Sequence, residues 1–333
     1  MISRFVVQLG VICLLLGAMT VWALCQPPAP VEPAASSAPA NTGHSQKISL
    51  WQAIQLGAVE GLTEYLPVSS TGHLILASHS MGLTHFSNQR GPMGPKIVQT
   101  PAINAFEVVI QFGAILAVVG LYRRRIAQMF DGLLGRNPQG LRLLALLAVA
   151  FLPSAIVGLA LQHRIKEYLF SPFSVCLALV VGGVAMIAVE RWWLWRKKTQ
   201  PAKTLGVIDA MSFRQALIIG FAQCLALWPG TSRSMITIVA ALLVGLDMVS
   251  SAEFSFLLAL PTLSAATLYE TYKEGGAIVH AAGVDGLIAG LVVSGIVAAL
   301  AVKGLVAWLT RHGLTPFGVY RILLAGVVLY LLR

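Results

Sequence analysis

Apolar stretches recur along the chain, each long enough to cross a bilayer, and they limit the fold more than any other feature. A helix needs roughly 20 apolar residues to cross a hydrocarbon core about 30 Å thick. Of the 333 residues, 57% are hydrophobic and only 11% are charged, more apolar surface than water would solvate. The sequence predicts an all-α integral membrane protein of about six transmembrane helices, at 103–122, 141–161, 172–195, 252–272, 285–302 and 316–332.

The formal net charge of +10 arises from lysines and arginines that lie in clusters between the apolar stretches. They form no extended basic face, so nucleic acid is not an expected partner. Lysine and arginine accumulate in cytoplasmic loops, which predicts that the basic segments 123–142, 191–203 and 303–311 are cytoplasmic. With six spans, both chain ends then lie outside the cytoplasm.

The N-terminal part of the chain differs from the rest. Residues 1–25 contain Arg4 and a long apolar run, as in a secretory signal peptide or an uncleaved signal anchor, and the sequence leaves both open. Residues 26–47 are rich in proline, alanine and serine, so we expect a disordered tether. The predicted membrane domain spans residues 48–333.

Two further apolar segments are similar to each other and are interrupted. Residues 52–60 match residues 215–223, with glutamine, alanine and glycine at equal spacing. Each segment is followed by a proline, Pro67 or Pro229, and then by a cluster of serines and threonines. Because proline ends a helix and each half is too short to span, we expect two re-entrant helix pairs.

Each re-entrant pair would combine with three transmembrane helices into one repeat, over residues 48–198 and 209–333. An odd number of spans inverts the second repeat relative to the first. Inverted repeats with broken helices place a polar site near the bilayer midplane, where the two breaks meet. The predicted fold is therefore an inverted-topology repeat with its site at the breaks.

The hydroxyl clusters after the two prolines suit the N-termini of the second half-helices. Serine and threonine are favoured N-caps, and capping alone would explain most of them. A helix N-terminus also offers free N–H groups and the positive end of the helix dipole to an anion. The candidate substrate-binding hydroxyls at these ends are Ser69, Thr71, Thr231, Ser232 and Ser234.

Arg233 lies in the first turn after the second break, at membrane depth, where an unpaired charge is costly. Its planar guanidinium fits phosphate oxygens bidentately. A structural ion pair with Glu60, Glu64 or Glu253 is the alternative. Since the N-terminal end of a helix is unfavourable for a cation, an anionic ligand is the favoured interpretation.

Glu60 and Glu64 share one face of the first half-helix, near its negative C-terminal end. Such a pair suits a hard divalent cation, Mg²⁺ or Ca²⁺, that also binds phosphate. The alternative is that one glutamate is protonated and the other pairs with Arg233. Gln223 and Leu227 hold these places in the second repeat, so a metal site would belong to the first repeat only.

His73 follows Ser70 on the same face of the next half-helix. From that position it would activate Ser70, or act itself as nucleophile or general acid. A lone histidine is usually structural, but this one shares a short segment with two intramembrane carboxylates, which favours a functional role.

Two segments resemble the signature motifs of the bacterial undecaprenyl pyrophosphate phosphatase family, which is associated with bacitracin resistance. They are EGLTEYLPVSSTGH at residues 60–73 and PGTSRS at residues 229–234. The likeness extends from about residue 50 to the C-terminus. The family's second motif usually has a glycine after its last serine, where this chain has Met235.

The resemblance implies an undecaprenyl-diphosphatase of the bacterial plasma (inner) membrane that removes the terminal phosphate from a polyprenyl diphosphate lipid. It also implies a divalent cation and a site that faces the periplasm, and it leaves open whether the protein is a homodimer. The residues that match the family's functional positions are Glu60, Glu64, Ser70, His73 and Arg233, supported by Ser232 and Thr237.

The predicted chemistry is phosphoryl transfer. Arg233 and the helix N-termini would hold the diphosphate while Ser70 or a water, assisted by His73, attacks the distal phosphorus. The rival is a transporter or flippase for a polyprenyl phosphate or another anion, since inverted repeats with broken helices are typical of carriers. The paired glutamates together with Ser70 and His73 favour an enzyme.

Overall fold

The computed structural model describes residues 47–91, 94–199 and 206–331. The signal segment 1–25 and all of the tether except Lys47 lie outside this range. The described chain is almost wholly helical, as predicted. Its α-helices are α1 Leu50–Thr63, α2 Ser70–Ser80, α3 Pro101–Leu121, α4 Arg123–Leu133, α5 Pro138–Leu169, α6 Pro172–Thr199, α7 Phe213–Gln223, α8 Arg233–Leu243, α9 Met248–Leu309 and α10 Thr315–Leu331.

One antiparallel hairpin interrupts the helices between α2 and α3, and the sequence did not predict it. Strand β1 covers Thr84–Gly91 and β2 covers Gly94–Gln99, with Thr84 opposite Gln99. The segment carries neither a long apolar run nor the alternation that would indicate strands. Short turns of 3-10 helix also lie at Ile208–Ala210 and Cys224–Leu227.

Four described helices are long and apolar enough to cross a membrane: α3, α5 over Pro138–Leu161, α6 and α9. The predicted spans 252–272 and 285–302 both lie within α9, and the span 316–332 corresponds to the shorter apolar helix α10. The sequence prediction of an all-α membrane protein is confirmed.

Helix α9 covers 62 residues and consists of two helical arms that meet at Gly283, whose φ of 67° and ψ of 165° are not helical. The arm before the break contacts α3 through Thr267, whose hydroxyl donates to the carbonyl of Val108 at 3.2 Å. The arm after the break contacts α3 as well, where Leu291 lies against Gly113. Because both arms contact neighbouring turns of α3, the chain folds back at Gly283.

The two predicted helix breaks are present, and their surroundings repeat. Each first half-helix opens with a capping box, Ser49 with Gln52 in α1 and Ser212 with Gln215 in α7. The Gln52 amide also donates to the carbonyl of Met81 at 3.2 Å. At the same sequence offset, the Gln215 amide donates to Val244 at 2.9 Å. Each glutamine therefore ties the start of its first half-helix to the end of the second.

Glycines bring α1 and α3 against the second arm of α9. A Cβ atom on Gly57 would lie 2.5 Å from the carbonyl oxygen of Gly290, and one on Gly61 would lie 2.2 Å from that of Ser294. On α3, a Cβ on Gly113 would lie 2.1 Å from the carbonyl oxygen of Leu291. Small residues allow this backbone contact between membrane helices. They fix the helix that carries Glu60.

Candidate active site

The first break places a carboxylate beside a serine hydroxyl. Glu64 follows the last residue of α1, and Ser70 begins α2 after the intervening turn. The hydroxyl of Ser70 donates to Oε2 of Glu64 at 2.7 Å. A carboxylate at this distance is positioned to accept the hydroxyl proton.

The second break adds an arginine to the same carboxylate. Arg233 is the first residue of α8, and its NH2 nitrogen lies 3.2 Å from Oε1 of Glu64. Its NH1 nitrogen donates to the carbonyl of Ser255 at 3.0 Å, and its guanidinium lies 5.6 Å from the ring centroid of Tyr65. The ion pair that the sequence offered as the alternative therefore forms, with Glu64, and it joins the two breaks.

Both breaks hold their serines in the same unusual conformation. Ser69 has φ 78° and Ser232 has φ 71°, a left-handed region that residues with a Cβ rarely adopt. Each is the N-cap of its second half-helix. Ser69 accepts from the backbone N–H of Gly72, and Ser232 from that of Met235. Their predicted capping role is confirmed, and the sharp turn directs Ser70 and Arg233 toward Glu64.

Glu60 is fully buried one turn before Glu64. Gln111 approaches its carboxylate, yet neither carboxylate oxygen completes a hydrogen bond within the described chain. Buried polar groups are normally satisfied, and an unpaired one is costly. The buried hydroxyl of Tyr65 and Nε of Arg233, both beside Glu64, are among the other atoms that lack a partner within the described chain. These unpaired polar atoms are therefore available to bind a ligand.

Of the two glutamates proposed to hold a divalent cation, Glu60 has both oxygens unpaired, whereas the oxygens of Glu64 contact Ser70 and Arg233. Among the described residues, no group of three or more His, Cys, Asp or Glu side chains could hold a metal ion. Mg²⁺ is commonly bound by one or two carboxylates together with water and substrate phosphates. The unpaired carboxylate of Glu60 is consistent with that mode.

His73 does not pair with Ser70 in the structure, which differs from the sequence prediction. Its Nδ1 lies 2.7 Å from the carbonyl oxygen of Ser69, so that nitrogen carries a hydrogen. Its Nε2 lies 2.7 Å from the hydroxyl of Tyr320 on α10. With both ring nitrogens engaged and Ser70 bonded to Glu64, the structure makes Glu64 the base candidate for Ser70.

The remaining predicted hydroxyls mostly support the two breaks. Ser234 donates to the carbonyl of Leu66 at 3.0 Å and so joins the breaks a second time. Thr237 bonds the carbonyl of Arg233 at 2.8 Å and lies 2.6 Å from the Ser255 hydroxyl. Both therefore position Arg233 and its surroundings.

The two predicted threonines lie at the two breaks, near the starts of α2 and α8. Thr71 is the second residue of α2 and is partly buried. Thr231 is buried within the second break, where its backbone N–H donates to the carbonyl of Trp228 at 3.1 Å.

The sequence prediction missed Tyr320 and Arg321, which reach the site from α10. Glu190 fixes the start of this helix, since its carboxylate accepts from the backbone N–H groups of Leu314 and Thr315. A signal was present, because Arg321 is a charged residue within an apolar stretch, and such residues usually mark a site.

Fold and site together define a multi-pass membrane protein with a buried polar centre, in which a carboxylate contacts a serine and an arginine from two helix breaks. Comparison with known proteins gives the family. The chain belongs to the bacitracin resistance protein BacA family, which matches residues 53–327.

Curated relatives cover most of the chain. It is 46% identical over 282 residues to an undecaprenyl-diphosphatase of Sorangium cellulosum, covering 84% of this chain and 86% of the relative. An undecaprenyl-diphosphatase 2 of Rhodospirillum rubrum is 42% identical over 283 residues, which are 85% of this chain and 94% of the relative. An undecaprenyl-diphosphatase of Campylobacter hominis is 42% identical over 281 residues, 84% of this chain and 97% of the relative.

Proposed function

We propose that this protein hydrolyses undecaprenyl diphosphate to undecaprenyl phosphate and inorganic phosphate. The activity would recycle the lipid carrier of cell-wall synthesis and give bacitracin resistance. The observation that carries the proposal is that one carboxylate, Glu64, contacts both the Ser70 hydroxyl and the Arg233 guanidinium. The relatives' name, undecaprenyl-diphosphatase, agrees with it and lends nothing to the transporter alternative.

Arg233 binds the diphosphate in this proposal. Its contact with Glu64 uses only one guanidinium nitrogen, and its Nε is unpaired. A guanidinium can therefore offer a planar pair of donors to phosphate oxygens.

Ser70 is the proposed nucleophile and Glu64 the base. The Ser70 oxygen attacks the distal phosphorus and its proton passes to Glu64, while the bond from that phosphorus to the bridging oxygen breaks. Undecaprenyl phosphate leaves with the electron pair of that bond. Glu64 passes its proton to the departing phosphate, and the restored carboxylate then takes a proton from a water that attacks the phosphoserine phosphorus. The bond from phosphorus to the Ser70 oxygen breaks, Ser70 regains a proton from Glu64, and inorganic phosphate is released.

Glu60 and Glu64 would hold a divalent cation, Mg²⁺ or Ca²⁺. When bound, such a cation neutralises charge on the phosphate oxygens. His73, held between Ser69 and Tyr320, would orient the turn that carries Ser70.

The protein is proposed to lie in the bacterial plasma (inner) membrane, with its site open to the periplasm. The two broken-helix units are proposed to be inverted relative to each other, as the loop charges and the odd number of spans predict. The lipid tail would then leave the site sideways into the bilayer.

The test is phosphate release from undecaprenyl diphosphate by purified protein in detergent, with and without EDTA. We expect release that the chelator abolishes and added Mg²⁺ or Ca²⁺ restores. Ser70→Ala should lose the activity but keep its elution volume and melting temperature. Binding of the lipid diphosphate without phosphate release would contradict the proposal and favour a carrier.

A further inference from the structure

Arg321 is a fully buried arginine whose hydrogen bonds all go to backbone carbonyls. It is 0% exposed on α10. Its Nε donates to Leu179 at 3.3 Å and its NH2 donates to Ala178 at 3.0 Å, both on α6. Within the described chain it forms no salt bridge, so no carboxylate offsets its charge.

The other two bonds of Arg321 go to the two helix breaks. NH1 donates to the carbonyl of Pro67 at 3.4 Å, and NH2 donates to the carbonyl of Gly230 at 2.9 Å. Pro67 lies between Glu64 and Ser70, and Gly230 lies just before Arg233. One guanidinium therefore contacts both segments that supply the catalytic groups.

The packing around Arg321 leaves little room for another arrangement. A Cβ atom on Gly182 would lie 2.5 Å from NH2 of Arg321 and 2.7 Å from Cε of Met235. Lysine could not replace the arginine, because a single ammonium has no planar fork to reach both breaks.

We propose that Arg321 is a positioning residue for phosphoryl transfer. It holds the carbonyls of Pro67 and Gly230 at a fixed separation, so that Ser70 with Glu64 from one break and Arg233 from the other face the same diphosphate. Burial without a carboxylate partner is expensive for a guanidinium. The position therefore requires the geometry of an arginine, beyond its charge. The expected loss of kcat rests on the proposed function, whereas the bonds of Arg321 to both breaks do not.

The test compares Arg321→Met and Arg321→Lys with Arg142→Met. Arg142 is a control for loss of an arginine that donates to two backbone carbonyls, those of Asp209 and Met211; it is partly buried and lies away from the breaks. We expect kcat of both Arg321 variants to fall about 100-fold, as small misplacements of catalytic groups do, with a smaller change in KM. Arg142→Met should keep both constants.

A double-mutant cycle separates positioning from general destabilisation. If Arg321 acts by aiming Arg233, adding Arg321→Met to Arg233→Lys should lower kcat by less than tenfold, well below its effect alone. The proposal would be overturned if the double variant lost kcat by the full product of the two single losses, or if folded Arg321→Met kept the kcat of the wild type. Gly182→Ala, which displaces the guanidinium without removing it, repeats the test if Arg321→Met does not accumulate.

Hydrogen exchange gives a readout that does not depend on activity. Backbone amides of residues 64–70 and 228–233 should exchange faster in Arg321→Met than in the wild type and in Arg142→Met. Unchanged exchange at both breaks would show that Arg321 does not hold the two breaks together. Faster exchange together with no phosphate release by the wild type would leave that role of Arg321 intact and refute the proposed function instead.

Discussion

The hydroxyl of Ser70 and the carboxylate of Glu64 are 2.7 Å apart, across the turn between α1 and α2. The other oxygen of the same carboxylate faces Arg233 from the second break. The nucleophile candidate and the anion-binding candidate thus meet at the Glu64 side chain.

We expect Glu64→Gln to lower kcat by about 100-fold to 10,000-fold, the range for loss of a positioned base. Glutamine keeps the size and can still accept from Ser70, but it cannot take a proton. Steady-state phosphate release measures the effect. Glu253→Gln is the control, because it breaks a comparable pair with Arg125 at 2.8 Å. Equal losses in both variants would mean that Glu64 contributes only an ion pair.

We expect Glu60→Gln to raise the Mg²⁺ concentration for half-maximal activity at least about tenfold, because a neutral amide is a poor ligand for a hard cation. Isothermal titration with Mg²⁺ should show weaker binding in the same variant. The double variant Glu60→Gln with Glu64→Gln should be very low in activity and insensitive to added cation. Metal-dependent turnover in that double variant would exclude the ligand role.

Arg233→Lys should lower kcat at least tenfold, with a smaller change in KM, while the protein stays folded and inserted. Loss of a contact made mainly in the transition state is worth about 3 kcal/mol in comparable sites. Lysine keeps the charge next to Glu64 but loses the planar pair of donors. If Arg233→Lys kept a near-normal kcat while Arg233→Ala was inactive, Arg233 would serve only to balance the charge of Glu64.

The loop charges predict which segments face the cytoplasm. Cysteines placed at the exposed residues Arg124 and Lys197, in a background without native cysteines, should resist an impermeant thiol reagent in intact cells. A cysteine at His85, in the hairpin between α2 and α3, should react. Labelling of Arg124→Cys from outside would remove the main support for inverted repeats.

Local signals in the sequence were sufficient for the helices and their breaks. Proline at Pro67 and Pro229 marked the breaks, and the serines that follow were expected as caps because capping depends on adjacent residues. The cost of an unpaired charge at membrane depth indicated that Arg233 needs a partner, but the glutamate contact was only the alternative interpretation beside an anionic ligand.

Contacts between distant parts of the chain could not be read in the same way. Tyr320 is 247 residues from His73, and Arg321 is 254 residues from Pro67. Spacing along one helix placed His73 beside Ser70, whereas tertiary packing turned its ring toward α10. The fold-back of α9 at Gly283, by contrast, agrees with the two separate spans that the sequence predicted at 252–272 and 285–302.

The glycines that let α1 lie against the backbone of α9 determine when the glutamates on α1 reach their positions. A helix in backbone contact with its neighbour through Gly57 and Gly61 has no space in which to rotate or slide. The glutamates on α1 are therefore brought together once, during folding and insertion, and not again in each turnover. An enzyme arranged in this way meets its lipid with the electrostatic reorganisation already complete.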